Sequence, residues 1–391
     1  MITRLLVKNY KSLRNVEVPL GPLNVFVGPN MGGKSNLIDV FRFLQEMIYP
    51  APTQSEGLYY ALAQRGGVSE VQWKGSDESN ISIALDGKID QPRPQQFEYR
   101  IEILAGPRGY AEIQEESLRL TQDGKVVDLI VREGNTRWLA NINGQKIVSS
   151  SASGRSALQN APENWSGYEL ARSVSTWRFY QLVPQIMKDP NPTGTGEVLD
   201  HYGKNLSSWL MTLQTRHPET FAKLDQVARD VFPDLRSLLT WPSPQGTVHL
   251  ASTEKGLRRP VNVWQMSDGE LVFLALLSLI YAPPEHAGDL YCIEEPENHL
   301  HPRLLNVLVT LLRQVREEIA GAGSLSQLVI TTHSPYLVDQ MHLDEIIWVE
   351  KKDGSTQVSR PADRKHLRKL VEDKDLGLAD IVYSGTLNEQ R

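Results

Sequence analysis

Eight residues near the start of the chain, Gly28-Pro-Asn-Met-Gly-Gly33-Lys34-Ser35, match G-x-x-x-x-G-K-[ST] at every fixed position. The chemistry this spacing supports is a grip on a polyphosphate. Glycines let backbone N–H groups turn inward around the phosphates, and the start of the following helix adds its positive dipole end. Lys34 supplies a point charge to the β- and γ-phosphates, and the Ser35 hydroxyl ligates Mg²⁺. Asn30, Gly32, Gly33, Lys34, Ser35 and Asn36 are therefore the predicted phosphate-side contacts.

Three later segments carry groups that could act on such a ligand. In Leu290-Tyr-Cys-Ile-Glu294-Glu295-Pro-Glu297, an apolar run reads as a buried strand with two carboxylates at its end. The first, Glu294, suits Mg²⁺. The second, Glu295, suits a base that polarises an attacking water. In Met266-Ser267-Asp268-Gly269-Glu270, Ser267 and Glu270 form the S-x-x-E capping pattern ahead of an apolar helix. That is either a plain helix start or a capped helix whose N–H groups face a phosphate, and both readings stay open. In Leu328-Val-Ile-Thr-Thr-His333-Ser-Pro335, His333 ends another buried strand and Pro335 opens a helix. It is either a satisfied strand-end histidine or a group that bonds a γ-phosphate or orients water.

The elements that must position these residues are legible in outline. Short strands over Leu5–Val7 and Leu23–Val27 lead to the glycine loop, and a helix follows from Lys34 to about Ile48, closed by Pro50. Strand, loop and helix in that order is the context a phosphate loop needs. From about Val68 to Val148 the pattern alternates. Strands over Ile81–Leu85, Phe97–Ile103, Ala111–Ile113 and Val126–Val131 are separated by the turns Asp86-Gly87, Asp123-Gly124 and Asn143-Gly144, an antiparallel meander. Ser149–Gly167 reads as loop, Trp177–Val183 as a strand, and Asn205–Phe232 as helical within a helical lobe over about 190–240. From Asp268 onward helix and strand alternate, an α/β core.

The four motifs in this order resemble the ABC-type ATPases of the RecF, SMC and OLD group, and more closely a bacterial family of AAA-like ABC proteins. The family pattern of phosphate loop, S-D-G-E signature, E-E-P-E-x-x-L-H-P Walker B region and T-H-S-P switch is met by Gly28–Ser35, Ser267–Glu270, Glu294–Pro302 and Thr332–Pro335. Lys8-Asn-Tyr-Lys-Ser12, Trp177–Tyr180, Asn205-Leu206 and the tail Leu376–Gly385 are lesser similarities. The resemblance implies an α/β fold: a P-loop ATPase head with an antiparallel β lobe and a helical lobe inserted between Walker A and signature. It divides the chain into an N-terminal core with the meander (1–150), a linker strand and helical lobe (151–265), and a C-terminal core (266–391).

The resemblance also implies roles. Lys34 and Ser35 serve phosphate and Mg²⁺, Glu294 is the Walker B acid, Glu295 the catalytic base and His333 the switch. Ser267, Gly269 and Glu270 form the signature that reaches the γ-phosphate of an opposing subunit, and Asn298–His301 is the D-loop. Lys11 stands where relatives place a basic residue near the nucleotide, and Gln181 is the glutamine-loop candidate. With one copy of each motif, a working site then needs a homodimer sandwiching two ATP molecules. The Walker B acid is Glu rather than Asp, and no coiled coil separates the first motif from the signature.

Composition bounds the rest. The 391 residues are 40% hydrophobic and 23% charged, ordinary for a chain that can bury a sizeable core. A net charge of -6 makes it no bulk polycation, so DNA contact would need a local patch, with Arg258-Arg259 and Arg364–Lys369 as candidates. The single cysteine, Cys292, lies in an apolar run and reads as core in a reducing, cytoplasmic setting. The apolar run Leu271–Ala282 is too short to span a bilayer, so no membrane partner is expected. Two functions stay open: an ATPase acting in DNA repair or anti-phage and plasmid defence, and an ATP-driven switch controlling a separate, nuclease-like effector without binding DNA. The chain shows no second acidic metal cluster after His333 that would make it a nuclease itself.

Overall fold

The computed structural model describes residues 1–75, 80–89, 94–133, 136–150, 153–194, 196–319, 326–363 and 377–383. Along the chain, β1 (Ile2–Tyr10), β2 (Leu13–Pro19) and β3 (Leu23–Val27) precede α1 (Lys34–Ile48), α2 (Gly57–Ala63) and α3 (Val68–Val71). Seven strands follow: β4 (Asn80–Ile89), β5 (Gln95–Ala105), β6 (Ala111–Gln122), β7 (Lys125–Asp128), β8 (Ile130–Glu133), β9 (Thr136–Ala140) and β10 (Lys146–Ser150). Next come α4 (Tyr168–Ser175), β11 (Arg178–Tyr180), α5 (Pro184–Met187), β12 (Asn191–Pro192), α6 (Leu206–Arg216) and α7 (Pro218–Val231). The remainder is β13 (Leu235–Pro242), β14 (Thr247–Glu254), β15 (Val261–Asn262), α8 (Asp268–Ile280), β16 (Leu290–Glu294), α9 (Pro302–Ile319), β17 (Gln327–Thr332), α10 (Pro335–Asp339), β18 (Ile346–Lys352), β19 (Ser355–Ser359) and a last helix, Leu378–Tyr383.

The chain divides into two compact units, 1–177 with 326–333 and 342–391, and 178–325 with 334–341. In the first unit, β3 pairs in parallel with β17 on one side and β18 on the other, and β19 closes the edge antiparallel to β18. All residues of β3 and β17 are buried, as befits central parallel strands covered on both faces. α1 begins where β3 ends and buries Leu37, Val40, Phe41, Leu44 and Met47 along one face. Gln45 Nε2 donates to the carbonyls of Val174 and Trp177, both at 2.9 Å, and Phe41 meets Trp177 edge to face, so α1 is held to α4.

The expected meander is present as a sheet in the order β2-β1-β4-β5-β6-β7 and a smaller sheet β10-β9-β8. A buried ion pair ties the two: Glu116 of β6 accepts from Arg137 of β9 at 3.0 Å, from Tyr99 Oη at 2.9 Å and from the Ala157 amide at 2.8 Å. Full hydrogen bonding is what makes a carboxylate tolerable there.

Several details differ from the sequence expectation. Asp86-Gly87 is no turn: it lies inside β4, laddered to β1 and β5, with the Asp86 carboxylate on Arg4 Nε at 2.6 Å. Pairing on both sides holds the dipeptide extended. Val126–Val131 is two strands, because the chain changes sheets at Leu129. Val68–Val71, at the start of the alternating stretch, is a short helix. Of Trp177–Val183 only Arg178–Tyr180 is strand.

In the second unit, β11 and β16 run parallel. The helical run of Asn205–Phe232 is two helices, interrupted at His217 because Pro218 lacks the N–H a continuous helix requires there. The lobe is also not wholly helical: β13 and β14 form an antiparallel hairpin over the Ser243–Gly246 turn, and the short β12 and β15 both pair with β14. Its apolar positions Leu238, Val248 and Leu250 are buried. Cys292 is buried in β16, as expected of a core residue. Among the described residues no helix is long and apolar enough to cross a membrane.

Candidate functional site

The phosphate-loop motif leaves the C-terminal end of β3 and becomes the N-terminus of α1. Val27 of β3 is paired with Thr332 of β17 and with Trp348 of β18. Gly28 and His333 therefore leave adjacent parallel strands at the same level, the carboxyl edge where open α/β sheets bind ligands. His333 is half-buried there.

Two glycines in the loop admit no other residue. Gly28 has φ 153° and a Cβ would strike the Val349 carbonyl oxygen; Gly33 has φ 107° and a Cβ would strike Thr356 Oγ1. The loop lies against the β18–β19 hairpin and is braced by it. Thr356 Oγ1 donates to the Gly32 carbonyl at 3.0 Å and lies 2.6 Å from Ser12 Oγ, and the Thr356 amide donates to the Ser12 carbonyl at 2.8 Å. Asn36 Nδ2 donates to Ser12 Oγ at 2.7 Å, so Asn36 is part of this brace. Lys34 is buried, its Nζ donating to the carbonyls of Gly28 at 2.9 Å and Pro29 at 3.0 Å. Asn30 and Ser35 are exposed, Gly32 is buried, and Gly33 caps α1.

Lys11 sits at φ 47° in the β1–β2 turn and its Nζ lies 2.5 Å from Asp39 Oδ2, on α1. Arg65 holds the same carboxylate through two nitrogens, at 2.8 and 3.0 Å, and Tyr10 Oη donates to it at 2.7 Å. Burial works to raise the Asp39 carboxyl, but the hydrogen bond and charge of Arg65, with Lys11, outweigh it and hold the group below the usual carboxylate range. Burial and the Asp39 charge push the Tyr10 hydroxyl well up.

The second unit carries the acidic pair and the signature. Glu294 is the last residue of β16. Glu295 follows at φ 46°, which takes it out of the pleat, and its Oε2 accepts from Asn298 Nδ2 at 2.9 Å. A left-handed non-glycine residue costs about 1–3 kcal/mol and clusters at functional sites. Gln181 comes directly after the Tyr180–Ile293 pair of β11 and β16, so it leaves the same strand edge as Glu294; it is exposed.

At the signature, Ser267 caps α8: its Oγ accepts from the Glu270 amide at 3.3 Å. The Glu270 carboxylate in turn accepts from the Ser267 amide at 2.8 Å and from its Oγ at 2.7 Å. The capping reading is thus realised and engages Glu270, while Ser267 itself remains exposed. Asp268 is bound by Lys188 Nζ at 2.6 Å and lies 3.7 Å from His299 Nδ1. A Cβ on Gly269 would come within 2.9 Å of the His299 carbonyl, so the Asn298–His301 segment lies against the start of α8. Ser12, Thr356, Lys188 and His299 are positioning residues that spacing did not reveal. Ser12 had a signal as the end of Lys8-Asn-Tyr-Lys-Ser12, and His299 lies inside the Asn298–His301 segment; Thr356 and Lys188 had none.

A known protein family, described as "AAA domain, putative AbiEii toxin, Type IV TA system", matches residues 23–339. The chain belongs to this AAA family. The chain is 20% identical to the Old nuclease of Escherichia phage P2 over 385 residues, 92% of this chain and 61% of that protein. It is 37% identical to the OLD nuclease of Thermus scotoductus over 51 residues, 13% of this chain and 10% of that protein. The chain thus spans less than two thirds of either relative. Among solved structures, an SMC head bound to the C-winged helix domain of ScpA superposes with a TM-score of 0.57 at 16% identity, covering 92% of this chain and 96% of that one. An Smc head with an extended coiled coil, bound to the C-terminal domain of ScpA derived from Pyrococcus furiosus, gives 0.54 at 15% identity, covering 96% and 99%. The AAA family member therefore has the fold of these SMC heads.

Proposed function

We propose that the chain binds ATP with Mg²⁺ and hydrolyses it in a composite site completed by the signature of a second copy. The observation that carries this is the phosphate loop: a G-x-x-x-x-G-K-S segment at the carboxyl edge of a parallel strand, opening a helix, with Lys34 pointed into its own loop.

In this mechanism Lys34 Nζ exchanges the Gly28 and Pro29 carbonyls for β- and γ-phosphate oxygens. The Ser35 hydroxyl and the Glu294 carboxylate are hard oxygen donors of the kind Mg²⁺ takes. Bound there, Mg²⁺ would neutralise charge on the β- and γ-oxygens. Glu295 accepts the proton of a water whose oxygen attacks the γ-phosphorus as the bond to the bridging oxygen breaks, giving ADP and phosphate. His333 bonds the γ-phosphate. Ser267 and Gly269 of the second copy close over it, so ATP joins two copies and hydrolysis releases them.

We further propose that this cycle acts on DNA, in repair or in defence against phage and plasmids, in the cytoplasm. Support comes from a similarity that spans 92% of this chain and 61% of a protein named as a nuclease. A net charge of -6 favours the second reading, a switch that controls a nuclease-like effector without touching DNA. Of the two basic candidates, Arg258-Arg259 is a described surface turn, whereas Arg364–Lys369 lies outside the described residues. Phosphate release measured with MgATP, with and without duplex DNA, at low and raised salt, decides both steps. A DNA-stimulated rate that falls with salt supports the DNA reading. A rate indifferent to DNA favours the switch, and no release with MgATP overturns the ATPase reading.

A further inference from the structure

At the corner where α6 gives way to α7, two imidazoles face each other. His217 Nε2 and His286 Nε2 are 3.2 Å apart, with the rings edge to face at 5.2 Å. Glu285 Oε1 lies 3.6 Å from His217 Nε2, and the ligand atoms of all three residues fall within 4.8 Å of one another. The two histidines come from segments 69 residues apart, so the cluster is made by the fold rather than by local sequence.

The surroundings fix both rings. His217 ends α6 and caps α7, where Pro218 restricts the backbone. His286 packs edge to face on the buried Trp209 at 5.5 Å, and Trp209 Nε1 donates to Ser278 Oγ of α8 at 2.9 Å. Glu285 is 59% exposed and has room to swing toward the pair.

These separations are those of ligands around one small ion. With metal–nitrogen bonds of about 2.05 Å, two nitrogens 3.2 Å apart subtend about 103° at the metal. A nitrogen and an oxygen 3.6 Å apart subtend about 120° with a metal–oxygen bond of about 2.1 Å. Both angles belong to a distorted tetrahedron. A plain hydrogen bond joins only the two histidines, whereas one bound ion would use all three groups. Two imidazole nitrogens and one carboxylate oxygen form a borderline donor set that suits Zn²⁺ rather than Mg²⁺. The oxygen-only set of Ser35 and Glu294 has the opposite preference.

We infer that His217, His286 and Glu285 form a Zn²⁺ site with an open fourth position for water, clamping the α6–α7 corner to the segment that joins α8 to β16. The clamp spans from the signature helix to the strand that ends in Glu294, both within one unit. It is independent of the proposed ATP chemistry.

The test uses the full chain, stripped with a chelator and titrated with Zn²⁺ in excess Mg²⁺ by calorimetry, with metal content and thermal melting read in parallel. The expected result is one Zn²⁺ per chain and a raised Tm. Glu285→Ala should weaken binding by about 10-fold or more, and His286→Gln should abolish it. Because Glu285 is exposed, its variant keeps the fold even if His286→Gln does not. Absence of stoichiometric uptake, or unchanged affinity in folded Glu285→Ala, overturns the site.

Discussion

The Lys34 ammonium donates to the Gly28 carbonyl, six residues upstream and on the other side of the loop, at 2.9 Å. The lysine that begins α1 thus clasps the residue that follows β3, and the loop's cation is held at the centre of its own backbone. A triphosphate entering the loop finds the charge already inside.

Lys34→Ala should therefore remove ATP affinity while sparing the fold. Losing two hydrogen bonds from a charged donor costs about 3–6 kcal/mol, so the fold of the variant is checked alongside its binding. Equilibrium dialysis with MgATP should show binding weakened by at least about 100-fold, with a circular dichroism spectrum unchanged. Retained affinity would place the phosphate elsewhere.

Thr356 is the outer brace, bonded to Gly32 and Ser12. Thr356→Val keeps strand preference and size but removes the hydroxyl. It should cost about 1–3 kcal/mol in denaturant unfolding, and it should weaken ATP binding by about 10-fold through a looser loop. Gly33→Ala, which meets the Thr356 side chain at φ 107°, should be worse on both counts. Nucleotide affinity equal to wild type in Thr356→Val would show that the brace does not matter to binding.

Asp39 joins Lys11, Arg65 and Tyr10 beneath the loop. Arg65 is 5% exposed at its side chain and keeps Glu46 at 2.5 Å, so Asp39→Asn removes one of its two carboxylate partners at a cost of about 1–3 kcal/mol. The sign of the pH effect follows from a folded-state value held below the unfolded one. Stabilisation is full above the unfolded value of about 3.9 and is lost as pH falls through the lower folded value. The stability gap between wild type and Asp39→Asn should stay flat near neutrality and narrow below about pH 4. A gap independent of pH down to 2 would contradict this.

Ser267 and Glu270 separate capping from contact. Glu270→Ala dismantles half of the capping box and should cost about 1 kcal/mol. Ser267→Arg should cost similar stability but block ATP-dependent association outright, because Ser267 is the exposed member. If both variants impair association equally, the serine acts only as a cap.

Local signals made much of this legible. α1 starts and stops where Gly33 and the segment before Pro50 say it should. The apolar runs of β3, β16 and β17 announce buried parallel strands. What stayed hidden depends on partners far along the chain. Thr356 reaches Gly32 across 324 residues, and nothing in Ser355–Ser359 advertises it. Asp86-Gly87 has the composition of a turn, yet ladders on both sides keep it in strand. The β13–β14 hairpin turns on Ser243-Pro-Gln-Gly246, with Gly246 at φ 77°. His217 and His286 are unremarkable in sequence and meet only because α6 and the end of α8 share one core.

The central claim, a site completed by a second copy, is tested most directly by light scattering of Glu295→Gln with MgATP. The variant should bind ATP, fail to hydrolyse it and shift to a stable dimer, and adding Ser267→Arg should return it to monomer. A Glu295→Gln chain that binds MgATP yet stays monomeric would contradict the claim.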